Sequence, residues 1–411
     1  MGSSILVIGG GFAGVSVARG LDARAEVTIV SDTNFLLFTP MLAEVAAADV
    51  DPRHIISPVR QLCPHARLVQ GEVLSIDLVR RSVSVGPPFG GEPIELEADA
   101  MVLAMGGISA TFGVPGVADL ALPFKTISDG LRIRNRVLAL LERASEQPDP
   151  ELTHVAVVGA GYSGAELAAA LADFLSRAWP EFYATAPPPR VTLIDAVERV
   201  VPMLPARLGS KAEQALRERG VRIILGTSVS QVTPSGVELA DGRTIEAATV
   251  VWAAGVRPHP LVETLGLPTD RGRLVTDDQL RVAPGVYALG DLAAVPDGRG
   301  GTSPPTAQFA LRQGKYLGRH LPELIAGGKA PSFRYNTMGQ LVSLGHRNAV
   351  GLVMGVPVTG FIAWFLWRSY YLLRLPTLLR KARVAMDWSL DLLFPPDIAW
   401  LPTTDLGPPP V

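Results

Sequence analysis

Two stretches of the chain repeat the same order of apolar and amphipathic segments. In the first, an apolar run over residues 5–8 precedes a glycine-rich loop, a segment with helical periodicity and a second apolar run over residues 27–30. In the other, apolar residues 155–158 precede a loop, a predicted helix over residues 164–178 and a strand over residues 191–194. Short apolar strands alternating with amphipathic helices are typical of parallel sheets covered on both faces. The pattern therefore predicts two α/β domains.

Other segments alternate apolar and polar residues, as antiparallel strands with one exposed face do. Residues 68–85 alternate in this way, and the turn-like residues 86–91 predict that residues 94–96 return as a hairpin partner. Asp241-Gly242 predicts a second hairpin turn. A helix is predicted to end before Pro148, and further strands are predicted over residues 100–104, 221–237, 250–254 and 340–353.

The two loops share the spacing Gly-x-Gly-x-x-Gly and the same position between a strand and a helix. Their glycines are Gly9, Gly11 and Gly14 in the first loop and Gly159, Gly161 and Gly164 in the second. The first glycine makes a tight turn, the second lets the backbone approach a pyrophosphate, and the third lets the helix pack on the strand. The loops also contribute Phe12, Ala13, Tyr162 and Ser163. Two dinucleotide sites predict two Rossmann-like domains in an enzyme that passes a hydride between two dinucleotides.

An acid at the end of the strand after such a loop usually binds the ribose hydroxyls. Asp195 holds this position after the second loop, where its carboxylate would repel a 2′-phosphate and favour NADH over NADPH. A strand-end turn aspartate is the alternative reading. After the first loop the position is Ser31, followed by Asp32, and either residue is a candidate for the ribose contact.

Two further acids are candidates for the site. Residues 283–291 predict a strand that delivers Asp291, preceded by Gly290, to the sugar-like chain of a flavin; a helix-capping aspartate is the alternative. Glu166 is expected on the first turn of the helix after the second loop. It is either a capping acid or a gate and proton-handling group beside the nicotinamide.

Composition narrows the class of protein. The chain has 411 residues, 48% hydrophobic and 18% charged, and a net charge of −2, which gives no general attraction for nucleic acid. The lone Cys63 excludes an internal disulfide or redox dithiol and fits a reducing compartment, and the six histidines show no metal-ligand spacing. We expect neither a secretory signal nor a membrane-spanning helix.

The segment over residues 360–383 interleaves aromatic, aliphatic and basic residues, among them Arg368, Arg374 and Arg380. This composition suits a helix that lies in the plane of a membrane surface, with its rings among the headgroups and its cations near anionic lipid. A helix that covers the core or forms a homodimer is the alternative. Pro376 divides the segment and disfavours one continuous helix.

Several motifs, taken in order, resemble the type II NADH dehydrogenases, which are single-subunit NADH:quinone oxidoreductases. Besides both loops they are FTPML at 38–42, EVA at 44–46, FGVPG at 112–116, PFKT at 123–126, WAAGV at 252–256, GD at 290–291 and AQFA at 307–310. The resemblance implies noncovalent FAD on the first loop, NADH on the second, and a quinone near Gln308. It places Arg312 where the family generally has a second glutamine, and it places Glu166 where nicotinamide, flavin and quinone meet. Further cofactor contacts that it implies are Thr39, Val73, Ala104, Gly106, Gly255 and Ala307.

The simplest organisation inserts the second dinucleotide domain into the first. We predict an FAD-binding domain over residues 1–115 and 256–330, an NADH-binding domain over 116–255 and a β/helical membrane-anchoring region over 331–411. The predicted function is transfer of a hydride from NADH to FAD and then of two electrons to a membrane quinone, without proton pumping, at the cytoplasmic face of the cell membrane. The alternatives are a soluble FAD-dependent NAD(P)H reductase of a ferredoxin or other redox protein, and a nucleotide-sensing protein that binds FAD and NADH without turnover.

Overall fold

The structure is a computed structural model that describes residues 3–337 and 339–401. It divides the chain into two compact units. The first unit comprises Met1–Leu37, Ile56–Ile108 and Val256–Thr337. The second unit comprises Phe38–Ile55, Ser109–Gly255 and Met338–Val411. Residues 402–411 of the predicted C-terminal region lie outside the described residues.

The helices and strands are numbered in chain order. The α-helices are α1 Phe12–Leu21, α2 Leu42–Ala46, α3 Val59–Leu62, α4 Val117–Leu120, α5 Ile127–Glu146, α6 Tyr162–Phe182, α7 Ala206–Glu218, α8 Ala307–Ile325, α9 Gly360–Arg374 and α10 Leu378–Asp391. The strands are β1 Ser4–Ile8, β2 Glu26–Ser31, β3 Phe35–Leu37, β4 Ile56–Pro58, β5 Arg67–Gln70, β6 Glu72–Asp77, β7 Ser82–Gly86, β8 Ile94–Glu97, β9 Ala100–Leu103, β10 Gly107–Ser109, β11 Leu122–Pro123, β12 His154–Val158, β13 Arg190–Ile194, β14 Arg222–Ile224, β15 Val229–Thr233, β16 Gly236–Leu239, β17 Thr244–Glu246, β18 Thr249–Trp252, β19 Val256–Pro258, β20 Thr269–Asp270, β21 Arg273–Val275, β22 Arg281–Ala283, β23 Val286–Ala288, β24 Ala293–Ala294, β25 Gly339–Ser343, β26 Ala349–Val353 and β27 Val356–Thr359.

Each unit contains the predicted α/β sheet. In the first unit the strand order is β22-β23-β9-β1-β2-β5, with β1 parallel to both β2 and β9. In the second unit the order is β11-β18-β12-β13-β14, with β12 parallel to both β13 and β18. The central strands β1 and β12 are almost entirely buried, because aliphatic side chains project from both of their faces into the surrounding core. The prediction of two α/β sheets is confirmed.

The predicted hairpins are also present. Strand β7 pairs antiparallel with β6 and β8, and β16 pairs antiparallel with β17 across the Asp241-Gly242 turn. Helix α5 ends at Glu146, before Pro148, as predicted, and it begins with a capping box formed by Thr126 and Asp129. Helix α6 is longer than predicted, since it begins at Tyr162 and continues to Phe182.

Helices α1 and α8 of the first unit lie backbone to backbone. A Cβ on Gly318 would lie 2.9 Å from Cα of Gly20 and 2.7 Å from the carbonyl oxygen of Val17. A Cβ on Gly314, one turn earlier, would overlap the carbonyl oxygen of Ala13. Because glycines occupy these positions, α8 is held directly against the helix that follows the first glycine loop.

The grouping of segments differs from the predicted one in two places. Residues 38–55 were assigned to the FAD-binding segments but belong to the second unit, because α2 packs on α5 and α6. Gly130 of α5 contributes to this contact, since its missing Cβ makes room for Leu42. The C-terminal sheet β25-β26-β27 and helices α9 and α10 also belong to the second unit instead of forming a separate region.

The C-terminal helices are separated where the sequence predicted. Helix α9 ends at Arg374, Pro376 follows, and Thr377 caps α10 by accepting the N–H of Arg380 at 3.3 Å. Within residues 3–337 and 339–401, no helix is both long and apolar enough to cross a lipid bilayer.

Candidate active site

The first glycines of the two loops have the same backbone conformation. Gly9 and Gly159 both have a φ of +117°, a left-handed region in which a side chain is strained. The N–H of Gly9 donates to the carbonyl oxygen of Val30, and the N–H of Gly159 donates to that of Ile194, both at 2.7 Å. The two loops therefore leave their strands in the same tight turn.

The other loop glycines meet the remaining requirements of a dinucleotide cradle. A Cβ on Gly14 or Gly164 would overlap the carbonyl oxygen of the first glycine in its own loop, so the helix can start this close to the strand only with glycine there. A Cβ on Gly11 or Gly161 would meet no atom of the described residues within 4 Å. This open space beside a helix N-terminus fits a pyrophosphate in both loops.

Residues next to these glycines begin helices α1 and α6. Ala13 is buried, and the half-buried Phe12 packs against the core of the first unit. The hydroxyl of Tyr162 donates to Gln340 Oε1 at 2.5 Å, and burial together with the neighbouring Glu166 raises the pKa of this phenol to about 12. Ser163 is exposed.

The acids predicted to bind ribose differ between the loops. Asp195 lies at the end of β13, where Oδ2 accepts the N–H of Ala160 at 2.5 Å and Oδ1 accepts the N–H of Val197 at 3.2 Å. The carboxylate thus adjoins the second loop and also closes a strand-end turn. In the first unit Ser31 is buried and Asp32 is exposed. Asp32 is therefore the better exposed candidate.

Asp291 is not the N-cap residue of the short helix that contains it. It lies within the short 3₁₀ helix Gly290–Leu292 after β23, where Leu289 occupies the cap position, and it is half-buried. Gly290 has a φ of +80°, and its N–H donates to Gln313 Oε1 at 2.8 Å. Gln313 is 1% exposed, so α8 fixes this loop through a buried amide.

The N-terminal turns of α8 carry the residues expected near a quinone. Ala307 begins the helix, and Gln308 Oε1 accepts the hydroxyl of Thr337 at 2.9 Å. One turn later the guanidinium of Arg312 lies over the ring of Tyr335, 5.0 Å from its centroid. An arginine in this position offers hydrogen-bond donors and a fixed positive charge in place of the amide of the family motif.

The remaining predicted cofactor contacts fall in both units. Ala104 and Gly106 follow β9, and the half-buried Val73 lies on β6, all in the first unit. Thr39 begins a short 3₁₀ helix in the second unit, and Gly255 follows β18 there.

Glu166 is held by residues far away in the sequence. It lies in the second turn of α6, which begins two residues earlier than predicted. Its Oε1 accepts the N–H of Ser343 at 3.0 Å and the indole N–H of Trp367 at 3.1 Å, and the N-cap residue is Gly161. Burial is the main cause that raises the pKa of this carboxyl from 4.5 to about 8. The two hydrogen bonds act in the opposite direction. Glu166 can therefore hold or release a proton near neutral pH.

A second acid, Glu44 on α2, lines the same cavity of the second unit as Glu166. The indole N–H of Trp388 donates to Oε1 and Oε2 of Glu44, at 3.2 Å each. Burial raises the pKa of Glu44 to about 7, against the lowering effects of Arg368 and Trp388. Two carboxyls that titrate near neutral pH thus adjoin one cavity.

Charged groups surround this cavity. The guanidinium of Arg368 lies between the rings of Trp364 and Trp388, 4.4 Å and 4.5 Å from their centroids. Asp49 lines the cavity, and burial raises the pKa of its carboxyl, helped by the negative charge of Asp391. The cavity is therefore an acidic site whose lining also contains the cation of Arg368.

Sequence reasoning did not assign Glu44, Gln313 or Trp367 to the site. Glu44 stood only within the family motif at 44–46, and its partner Trp388 is 344 residues away. The aromatic segment was interpreted as a membrane surface, yet Trp364, Trp367 and Trp388 are buried. The spacing of Trp364, Trp367 and Tyr371 is that of one helical face and could have shown that these rings point inward.

Comparisons with known proteins agree with the fold and the motifs. Residues 3–314 match the family model described as pyridine nucleotide-disulphide oxidoreductase. A type II NADH:quinone oxidoreductase of Mycobacterium tuberculosis is 31% identical, with 95% of this chain and 88% of that protein covered. A demethylphylloquinone reductase of a Synechocystis species is 30% identical, with 93% of this chain and 95% of that protein covered.

A solved structure shares the architecture at low sequence identity. The structure of NDH2 from Plasmodium falciparum in complex with NADH has a TM-score of 0.90 and 18% identity, and the match covers 97% of this chain and all of that chain. The chain therefore belongs to the pyridine nucleotide-disulphide oxidoreductases and, within them, to the type II NADH:quinone oxidoreductases.

Proposed function

We propose that the first loop binds FAD, that the second loop binds NADH, and that the chain reduces a membrane quinone at the cytoplasmic face of the cell membrane. The observation that carries this proposal is the pair of glycine cradles, each with open space beside its second glycine. FAD, when bound, supplies the two-electron chemistry that connects the oxidation of NADH to the reduction of a quinone. The protein residues bind, orient and handle protons.

Asp195 and Asp291 are proposed to orient the two dinucleotides. Asp195 adjoins the second loop through the N–H of Ala160, and a carboxylate there accepts the hydroxyls of an NADH ribose. Asp291 and the Gly290 loop, fixed by Gln313, are proposed to hold the sugar-like chain of FAD. Asp32 is proposed for the ribose of FAD, because it is exposed whereas Ser31 is buried.

Gln308, Arg312 and Glu166 are proposed to act on the quinone. Gln308 can donate its amide to a quinone carbonyl, and Arg312 can stabilise negative charge on a reduced ring. Glu166 titrates near neutral pH and is therefore suited to deliver a proton to a quinone oxygen. One relative is named an NAD(P)H-ubiquinone oxidoreductase and another a demethylphylloquinone reductase, which supports a quinone as the acceptor proposed here.

The C-terminal helices are proposed to rest on the membrane surface. Phe361, Ile362 and Phe365 of α9 are each more than half exposed, while Trp364 and Trp367 on the other side are buried. The exposed apolar residues are followed by a basic cluster of Arg380, Lys381 and Arg383 on α10. An apolar face beside cations suits the anionic cytoplasmic leaflet.

Anaerobic spectroscopy tests this function directly. NADH should bleach the flavin absorbance of the purified protein, and a short-chain quinone should restore it. If NADH bleaches the flavin and only an iron–sulfur protein restores its absorbance, the result would favour a ferredoxin reductase instead. NADH binding without bleaching would favour a nucleotide sensor, and protein that takes up no FAD on reconstitution would contradict the proposal.

A further inference from the structure

The cavity beside Glu166 contains more acidic groups than one proton donor needs. Its lining contains the three acids Glu44, Asp49 and Glu166, together with His346 and Arg368. Glu44 is 9% exposed, and its carboxylate accepts a hydrogen bond from Trp388. Since buried carboxyls are costly to maintain, this concentration calls for a chemical role.

We propose that Glu44 is the proton reservoir that reloads Glu166, and that it is filled from solvent along the side of the cavity formed by Asp49 and His346. The inference rests on the proposed function. Reduction of a quinone by NADH consumes one solvent proton: NADH, H⁺ and quinone give NAD⁺ and quinol. In each turnover Glu166 gives its proton to a quinone oxygen, Glu44 restores that proton, and solvent protonates Glu44.

The solvent side of this route is a chain of half-buried groups. The side chain of His346 is 30% exposed, and its Nδ1 lies 3.8 Å from Asp391 Oδ2, which has no hydrogen-bond partner among the described residues. Arg177 passes no proton itself, but it holds Asp391, at 2.6 Å, and Asp49, at 3.7 Å, in place, and Asp49 and His346 line the same cavity. Asp49 is next to Glu44 in space, because its N–H donates to the backbone carbonyl of Glu44 at 2.8 Å.

The charges that face Glu44 set the pH range of this reservoir. Arg368 of α9 favours the carboxylate, whereas Asp387 and Asp391 of α10 disfavour it. Asp49 on the following loop and Glu166 on α6 add further negative charge around the cavity. Helix α5, which also packs on α2, makes that contact through the uncharged Gly130. Desolvation and the surrounding acids outweigh Arg368, so the pKa of Glu44 is about 7, just below the value of about 8 for Glu166.

In this assignment Glu44 is a positioning residue, since it acts through Glu166 and touches no reacting atom. Glu44→Gln keeps an oxygen for the Trp388 hydrogen bond but cannot hold a proton. We expect NADH:quinone turnover at pH 7, where Glu44 still holds a proton about half of the time, to fall roughly tenfold or more, with a smaller loss at pH 5, where solvent supplies protons freely. NADH:ferricyanide turnover needs no proton at the acceptor and should stay within about twofold. Glu218→Gln, on the exposed side of α7, is the matched control and should change neither.

Tryptophan fluorescence provides a second measurement that does not depend on turnover. Trp388 donates to Glu44 and Trp367 donates to Glu166, so ionisation of either acid should change the emission. We expect two overlapping steps near pH 7 and 8 in the native protein and loss of the lower one in Glu44→Gln.

Several outcomes would overturn the inference. Equal loss of quinone turnover at pH 5 and pH 7, or a lower fluorescence step that persists in Glu44→Gln, would exclude a proton-holding role for Glu44. If Glu44→Gln fails to fold, Glu44→Asp is the deciding variant. Its carboxyl should preserve quinone turnover but shift the alkaline limb of the pH profile of that turnover. An unshifted limb would contradict the proposal. Absence of quinone turnover in the native protein would instead refute the proposed function, and with it this inference.

Discussion

Replacing Glu166 by glutamine should stabilise the second unit in alkaline solution although it removes a proposed proton donor. The amide oxygen of the introduced glutamine can still accept the N–H of Ser343 and the indole N–H of Trp367, so the contacts remain. The native carboxyl has its pKa raised from 4.5 to about 8, which means that the folded state resists ionisation while the unfolded chain ionises freely. The contribution of Glu166 to the free energy of unfolding is therefore fully present below pH 4.5 and is lost progressively as the pH rises to about 8.

The size of this loss follows from the shift. At about 1.4 kcal/mol for each pKa unit, the native protein loses roughly 4 to 5 kcal/mol between these pH values. Glutamine does not ionise, so the free energy of unfolding of Glu166→Gln should match that of the native protein near pH 4.5. It should exceed the native value by that amount at about pH 9.

Denaturant unfolding followed by tryptophan fluorescence is the appropriate assay, because all six tryptophans lie in the second unit. Unfolding curves of both proteins at several pH values give the difference directly. Glu218→Gln controls for the loss of one surface carboxylate. A difference between Glu166→Gln and the native protein that stays constant within about 1 kcal/mol from pH 5 to pH 9 would refute the reasoning.

Four further substitutions probe other parts of the structure. Asp195→Ala should raise KM for NADH about tenfold and affect NADPH less, because a charged acceptor is lost; an unaltered preference would argue against the ribose role. The double variant Phe361→Ser, Phe365→Ser should bind vesicles at least tenfold more weakly while ferricyanide turnover persists. Unchanged vesicle binding would argue against the proposed membrane face. Trp388→Phe removes a hydrogen bond that lowers the pKa of Glu44, so the alkaline limb of quinone turnover should move to higher pH; a fixed limb would contradict this. Gly164→Ala should lower the thermal midpoint, since its Cβ overlaps a carbonyl oxygen, and an unchanged midpoint would contradict the close packing.

Local patterns were sufficient to predict most of the fold. Strands β1 and β12 are recognisable because continuous apolar runs precede glycine spacings with a known steric purpose. The Asp241-Gly242 hairpin and the break at Pro376 depend on the conformations of single residues, which sequence reports well. Helix α6 was underestimated at both ends, as is common for helix boundaries.

The acidic cavity could not be predicted, because it is assembled from segments far apart in the chain. Glu44 meets Trp388, and Glu166 meets Trp367, across 344 and 201 residues. Composition showed that the C-terminal segment is rich in aromatic residues but not which of them face inward. The raised pKa values arise from burial that only the folded chain creates.

The direct contact between α1 and α8 joins two functional regions, the first glycine loop and the N-terminal turns of α8, into one rigid part. Gly314 and Gly318 lie against Ala13, Ser16 and Gly20, so the two helices touch at these points through backbone atoms and have little room to absorb a shift. Helix α8 carries Gln308 and Arg312 at one end and contacts the Gly290 loop through Gln313. We therefore expect substitutions that adapt the chain to a new acceptor to accumulate among the exposed side chains of α8, while Gly20, Gly314 and Gly318 are retained.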